Sequence, residues 1–173
     1  MFFLTAKHDI TTKYWKKYIS RYVGLEMSKE AKELLHTAPW QFKKYTNGVG
    51  SNIGFFNKLV MRLWLPLFRN CLLFLNITPS SDIHDVEYSL KLMFKTIMEG
   101  TLFKRQTDLR FYHNMLIIIQ RQSKPVWFNL IPYSNTLWHL VETYRKDKAW
   151  VYYEAVKDLG NTSFWNGKQK PII

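Results

Sequence analysis

One cysteine, Cys71, in 173 residues rules out an intramolecular disulfide, and a site built from several thiolates is excluded with it. Acid is also scarce. Thirteen Asp and Glu stand against 25 Lys and Arg, giving a net charge of +12 and a sequence pI near 9.8. With only 7 glycines and 6 prolines there is no collagen-like or low-complexity segment, and no internal repeat is visible. No H-E-x-x-H, no G-x-S-x-G and no Gly-Lys-Ser/Thr phosphate loop occurs. A charge-free apolar run long enough to span a bilayer is missing as well. The most apolar stretch, Phe55 to Ile77, is interrupted by Lys58, Arg62, Arg69 and Asn70. Met1-Phe2-Phe3-Leu4 is too short for the apolar part of a signal peptide. These absences predict a protein that is not secreted, works in a reducing intracellular compartment such as the cytoplasm, has no membrane span and needs no cofactor.

What the chain has in excess is aromatic side chains. They make up 17% of the residues, with 7 Trp, 10 Tyr and 12 Phe, inside an apolar fraction of 47%. That much apolar material excludes a disordered chain, and the length suits one domain, 1–173, with its own core. Many rings sit beside cations, as in Tyr14-Trp15-Lys16-Lys17-Tyr18 and Trp40-Gln41-Phe42-Lys43-Lys44-Tyr45. Positive charge is concentrated at the amino end: residues 1–62 hold 11 Lys or Arg against 4 Asp or Glu, residues 63–124 hold 8 against 5, and residues 125–173 hold 6 against 4. The surplus favours an anionic partner, and its asymmetry points to the basic aromatic region 1–46 as the contact surface.

Hydrophobic spacing predicts a mainly α, single-domain bundle of about six or seven helices, with one short strand or extended connector near 115–132. The first helix is expected from Asp9 or Thr11 towards Gly24, and the second from Ser28 to just before Pro39. A glycine-rich loop, Gly48 to Gly54, then leads into a central helix over Phe55 to Ile77 that Pro66 kinks. A further helix is expected from Ser80 or Ser81 to Gly100, with Asp82, Asp85 and Glu87 complementing its dipole. Thr107-Asp108 can cap a helix through Gln120. The last helix should run from Ser134 or Asn135 to Leu159, with Arg145-Lys146-Asp147-Lys148 able to divide it. The tail 161–173 is polar enough to be exposed.

Catalytic chemistry has little to work with. Cys71 lies in an apolar run, where a thiol stays protonated and inert. The acid pairs Asp82/Asp85 and Glu30/Glu33 read as solvated helix charges. Of the five histidines no two fall at i, i+3 or i+4. One order does stand out, His36, then His84-Asp85, then Asp147. It resembles the ligand order of the HD-domain metal phosphohydrolases, an all-helical family. The resemblance implies His36, His84, Asp85 and Asp147 as ligands of a divalent metal that activates water on a phosphate ester. It covers those four residues alone, and His84-Asp85 here follows Pro79-Ser80-Ser81 at a helix start rather than ending an apolar helix.

The sharper signal is the interleaving of cations and rings. Lys13, Lys16, Lys17, Arg21, Lys43 and Lys44 can neutralise phosphates, and Tyr14, Trp15 and Trp40 are candidates either for stacking on unpaired bases or for the core. No helix-turn-helix, zinc-finger or RNA-recognition signature appears, so the reading is non-catalytic, backbone-directed binding of DNA or RNA. Nucleic acid is the partner expected first, with protein subunits of a ribonucleoprotein or other large assembly beside it. Two alternatives stay open: a protein-interaction module that inhibits or assembles an acidic partner, and the HD-like metal-dependent phosphohydrolase.

Overall fold

The computed structural model describes residues 12–46, 71–72 and 75–165. Among them seven α-helices are formed: α1 (Lys13–Ser20), α2 (Lys29–Thr37), α3 (Pro39–Tyr45), α4 (Thr78–Ser89), α5 (Ile97–Arg121), α6 (Ser134–Leu159) and α7 (Asn161–Trp165). A single 3₁₀ segment, Val126–Leu130, joins α5 to α6. The predicted mainly α class is therefore correct. Of the two forms expected near 115–132, the connector is the one found, with 115–121 completing α5, and the short strands lie elsewhere, β1 (Cys71–Leu72) pairing antiparallel with β2 (Leu75–Asn76). The spacing puts Cys71, Leu72 and Leu75 on the apolar face of the central helix, where the chain pairs as strands, and expects a turn from Asn76 to Ser81. The turn at Asn76 is formed, its side chain accepting from the Thr78 amide at 2.9 Å, but it is shorter than expected because α4 already starts at Thr78. The rest of the predicted central helix, 55–70, and the glycine-rich loop lie outside the described residues.

Caps set the early helices. Thr12 accepts from the Trp15 amide at 3.4 Å, and Ser28 from the Ala31 amide at 3.2 Å. Gly24 turns the chain after α1 with a left-handed φ of 69°, as its position in the sequence predicts. Pro39 stands in the first turn of α3, where its missing N–H costs nothing. One apolar cluster joins these three helices to α4 through Trp15, Tyr18, Tyr22, Leu35, Phe42, Ile83 and Val86. A second joins Leu75 and Ile77 to α5 and α6 through Phe111, Met115, Ile119 and Ala149.

Three expectations are corrected. The helix expected to run to Gly100 ends at Ser89, and α5 starts anew at Ile97. The reason is a cap: Thr96 accepts from the Glu99 amide at 3.1 Å while the Glu99 carboxylate accepts from the Lys95 amide at 2.8 Å. Gly100 is consequently inside α5, where a Cβ would collide with the Trp165 ring. Secondly, Arg145–Lys148 does not divide α6, because Arg145 is buried against the Trp138 ring and Ala149 in the α5 contact. Thirdly, the tail is not exposed throughout. Phe164 of α7 is fully buried, 5.3 Å from the Tyr88 ring and 6.1 Å from that of Phe94. Phe164→Ala should therefore destabilise the protein by about 3–5 kcal/mol in urea unfolding, an effect that an exposed tail residue would not produce.

Candidate nucleic-acid interface

The surface singled out by the sequence is built on α1 and α3. Neither helix contains an acidic residue. Helical periodicity turns Trp15 and Tyr18 of α1 inward, followed by Tyr22, and this places Lys13, Lys16 and Lys17 outside. On α3, Pro39 and Phe42 face the core, leaving Lys43 and Lys44 exposed. The two helices meet along their rings. Trp15 and Trp40 are edge-on at 6.4 Å, and at the surface the Lys43 ammonium donates to the Tyr14 hydroxyl at 2.5 Å and sits 5.2 Å from that ring's centre. Among the described residues none of the five lysines forms an ion pair with an acid. Arg21 belongs less to this face, because its guanidinium is 3.8 Å from Asp82.

The rings behave differently from the stacking platform that the sequence allowed. Trp15 is 5% exposed and Trp40 half-buried, so they serve as the joint between α1 and α3. Tyr14 remains accessible, and its hydroxyl is held by Lys43. What this surface can do is offer ammonium groups to an anionic backbone.

Below this face lies a group of buried ionisable side chains that spacing assigned to the surface. Asp82, His84 and Glu87 are buried, not solvated dipole-complementing residues in a first turn, because α4 begins at Thr78 and is enclosed on most sides. Asp82 accepts from the Tyr22 hydroxyl at 2.7 Å. Glu87 accepts from Arg110 Nη2 at 2.9 Å and from the Ser28 amide at the start of α2. Asp108 of α5 accepts from the Tyr88 hydroxyl at 2.7 Å and from Lys104 at 2.8 Å, and lies 3.2 Å from His84 Nε2. Lys104 also donates to the Lys157 carbonyl at 3.0 Å, so the last turn of α6 is tied into the same cluster. Thr107 and Asp108 are thus interior residues of α5 rather than a cap.

The protonation states follow from this packing. Burial pushes the Asp82 carboxyl up to about 6, outweighing the Tyr22 hydrogen bond and the Arg21 charge. Burial works to lower His84, but its bonds to Asp108 and Asp85 win and hold the imidazole above its usual value. Asp108 is the reverse case, since burial would raise it and the bonds from His84, Lys104 and Tyr88 bring it below the ordinary carboxylate range. Burial keeps the Tyr88 hydroxyl protonated as a donor.

The four residues of the phosphohydrolase resemblance are not gathered. His84 and Asp85 are neighbours at 4.0 Å, but His36 is exposed on α2, lining a groove of about 570 Å³ with Lys32 and Arg110, and Asp147 is exposed on α6. Among the described residues no three His, Cys, Asp or Glu side chains are placed to hold a metal ion. His84 is instead committed to Asp108 and packed 4.9 Å from the Phe111 ring. No helix among the described residues is long and apolar enough to cross a membrane. No family model matches the chain, and neither a curated protein nor a solved structure is significantly similar to it.

Asp82 sets a measurable pH dependence. Its folded value of about 6 exceeds the ordinary 3.8, so its contribution to stability is fully present below 3.8 and is lost as pH rises through about 6. Asp82→Asn should flatten that decline in urea unfolding run across this window, whereas an unchanged slope would show that another group is responsible. His84 titrates above this range in the folded state, so its own loss of stability at higher pH should survive the substitution.

Proposed function

We propose that this protein binds the phosphate backbone of a nucleic acid through the paired outer faces of α1 and α3, without catalysis and without reading base sequence. The observation that carries this reading is the five exposed lysines, Lys13, Lys16, Lys17, Lys43 and Lys44, on two touching helices that have no acid of their own. Ammonium groups that no acid among the described residues compensates keep a local positive potential, and a polyanion gains by releasing its condensed counterions into bulk solution. The Trp15–Trp40 joint supports the same reading by fixing the two helices relative to each other, so the charges are displayed on a preformed surface.

Because Trp15 is interior, base stacking contributes little. Single strands and duplexes of equal length should bind with affinities within a few-fold of each other. With about five phosphates neutralised, the logarithm of the association constant should fall with the logarithm of salt concentration at a slope of roughly −4 to −5 on duplex. Fluorescence anisotropy with labelled oligonucleotides measures both quantities. Reversing the five lysines to Glu should abolish binding to every sequence tested, and their exposure means that the fold should tolerate the change. Binding that is absent at low salt, or independent of salt, would contradict the proposal. Salt-sensitive capture of an acidic protein in place of nucleic acid would assign the face to protein assembly instead.

A further inference from the structure

A second surface, unconnected with the lysines of α1 and α3, lies between α5 and α6. Val126, Trp127, Leu130 and Tyr133 are 84%, 63%, 87% and 85% exposed. Apolar side chains at this exposure are normally turned inward, and here four of them fall within eight residues.

The protrusion is braced at its ends and base. Pro125 and Pro132 restrict the backbone at its two ends, and Phe128 anchors it by packing edge-on against Trp138 at 5.5 Å. Lys124 closes the base by donating to Asn135 Oδ1 at 2.6 Å. Tyr133 holds a left-handed backbone with φ of 58°, a conformation that glycine or asparagine adopts more easily, while its ring contributes almost nothing to the core. The local structure therefore spends strain on displaying an aromatic ring.

Charge selects the partner. Between Asp108 and Glu142 the chain contains no acidic residue. Arg121 and Lys124 at the base of the protrusion bond neutral oxygens, Arg121 donating to the carbonyls of Val23 and Gly24, so their charges are not cancelled. An apolar tip with tryptophan and tyrosine, flanked by two cations that no acid pairs among the described residues, has the polarity profile of the headgroup boundary of an anionic bilayer. A protein partner would need a cavity shaped to this convex tip, whereas lipid deforms around it.

We propose that the segment Val126–Tyr133 is an interfacial membrane anchor, which inserts Trp127 and Leu130 at the acyl boundary of an anionic lipid bilayer while the base of the protrusion contacts the headgroups. The described residues then lie on the membrane without crossing it. The full chain should co-sediment with vesicles of phosphatidylcholine containing about 30% phosphatidylglycerol and bind vesicles of phosphatidylcholine alone at least about tenfold more weakly. The double variant Trp127→Ser/Leu130→Ser removes only exposed side chains and should lower partition into the anionic vesicles at least about tenfold. Brominated lipid should quench tryptophan fluorescence of the wild type, and Trp127→Phe should remove most of that quenching. The variant with Glu at all five lysines of α1 and α3 should retain this Trp127-dependent quenching, which separates failure of the anchor from failure of the nucleic-acid face. The proposal is overturned if the wild type fails to bind anionic vesicles at about 0.1 M salt. It is equally overturned if the double variant binds them as well as the wild type, or if it keeps vesicle binding and loses capture of a protein instead.

Discussion

The Asp108 carboxylate is the constraint on which the arrangement of the long helices depends. Buried in the middle of α5, it would be costly to ionise alone, and it is stabilised by Tyr88 and His84 from α4 and by Lys104 one turn before it. Lys104 in turn caps the carbonyl end of α6. A single charge thus fixes three helices, and any departure in their relative position leaves a charged group without a partner in a low-dielectric interior. Glu87 plays the matching part on the other side of α4, holding Arg110 of α5 and the first amide of the α2 cap. The cluster looks chemically rich, but every charged member is committed to a neighbour, and it reads as framework.

That framework has a consequence for the surface. Asp82, Glu87 and Asp108 are drawn inside, where Arg21, Arg110 and Lys104 are turned toward them, while the lysines of α1 and α3 stay outside. Apart from Tyr14, the rings of α1 and α3 go the same way as the acids, because a small three-helix layer needs bulky side chains to build a core against α4. Aromatic excess and basic excess are therefore separated by depth: rings join the helices, and lysines cover them. This supports contact with an anionic backbone and leaves base stacking with little to stand on.

Much of the fold was legible from periodicity and caps. Ser28, Pro39, Ser134 and Gly160 mark element ends where local rules place them, whereas Gly24 supplies the left-handed turn four residues past the end of α1 at Ser20. The start of α5 was legible too, in the spacing Thr96-x-x-Glu99, but the apolar repeat through Met93 and Ile97 ran across it and masked the break. Gly100 shows the same difficulty, since a glycine required for the close approach of Trp165 looks in sequence like a helix stop. Asp82, His84 and Glu87 were misplaced because burial of a polar group is decided by partners 20 to 60 residues away, such as Tyr22 and Arg110, and local pattern does not contain them. The lysine face was legible because an exposed cation needs no partner to be placed. The exposed tip at Val126–Tyr133 was not, since an apolar connector carries no local mark of which way it faces and only the structure turns these residues outward.

The central claim is that one face, and not net charge in general, meets the polyanion. Lysine footprinting tests it most directly: acetylate the protein with and without a saturating duplex and quantify each lysine by mass spectrometry. Protection confined to Lys13, Lys16, Lys17, Lys43 and Lys44, with the exposed Lys29, Lys32, Lys91 and Lys95 still reactive, is the predicted result. Uniform protection, or protection concentrated outside α1 and α3, would contradict it.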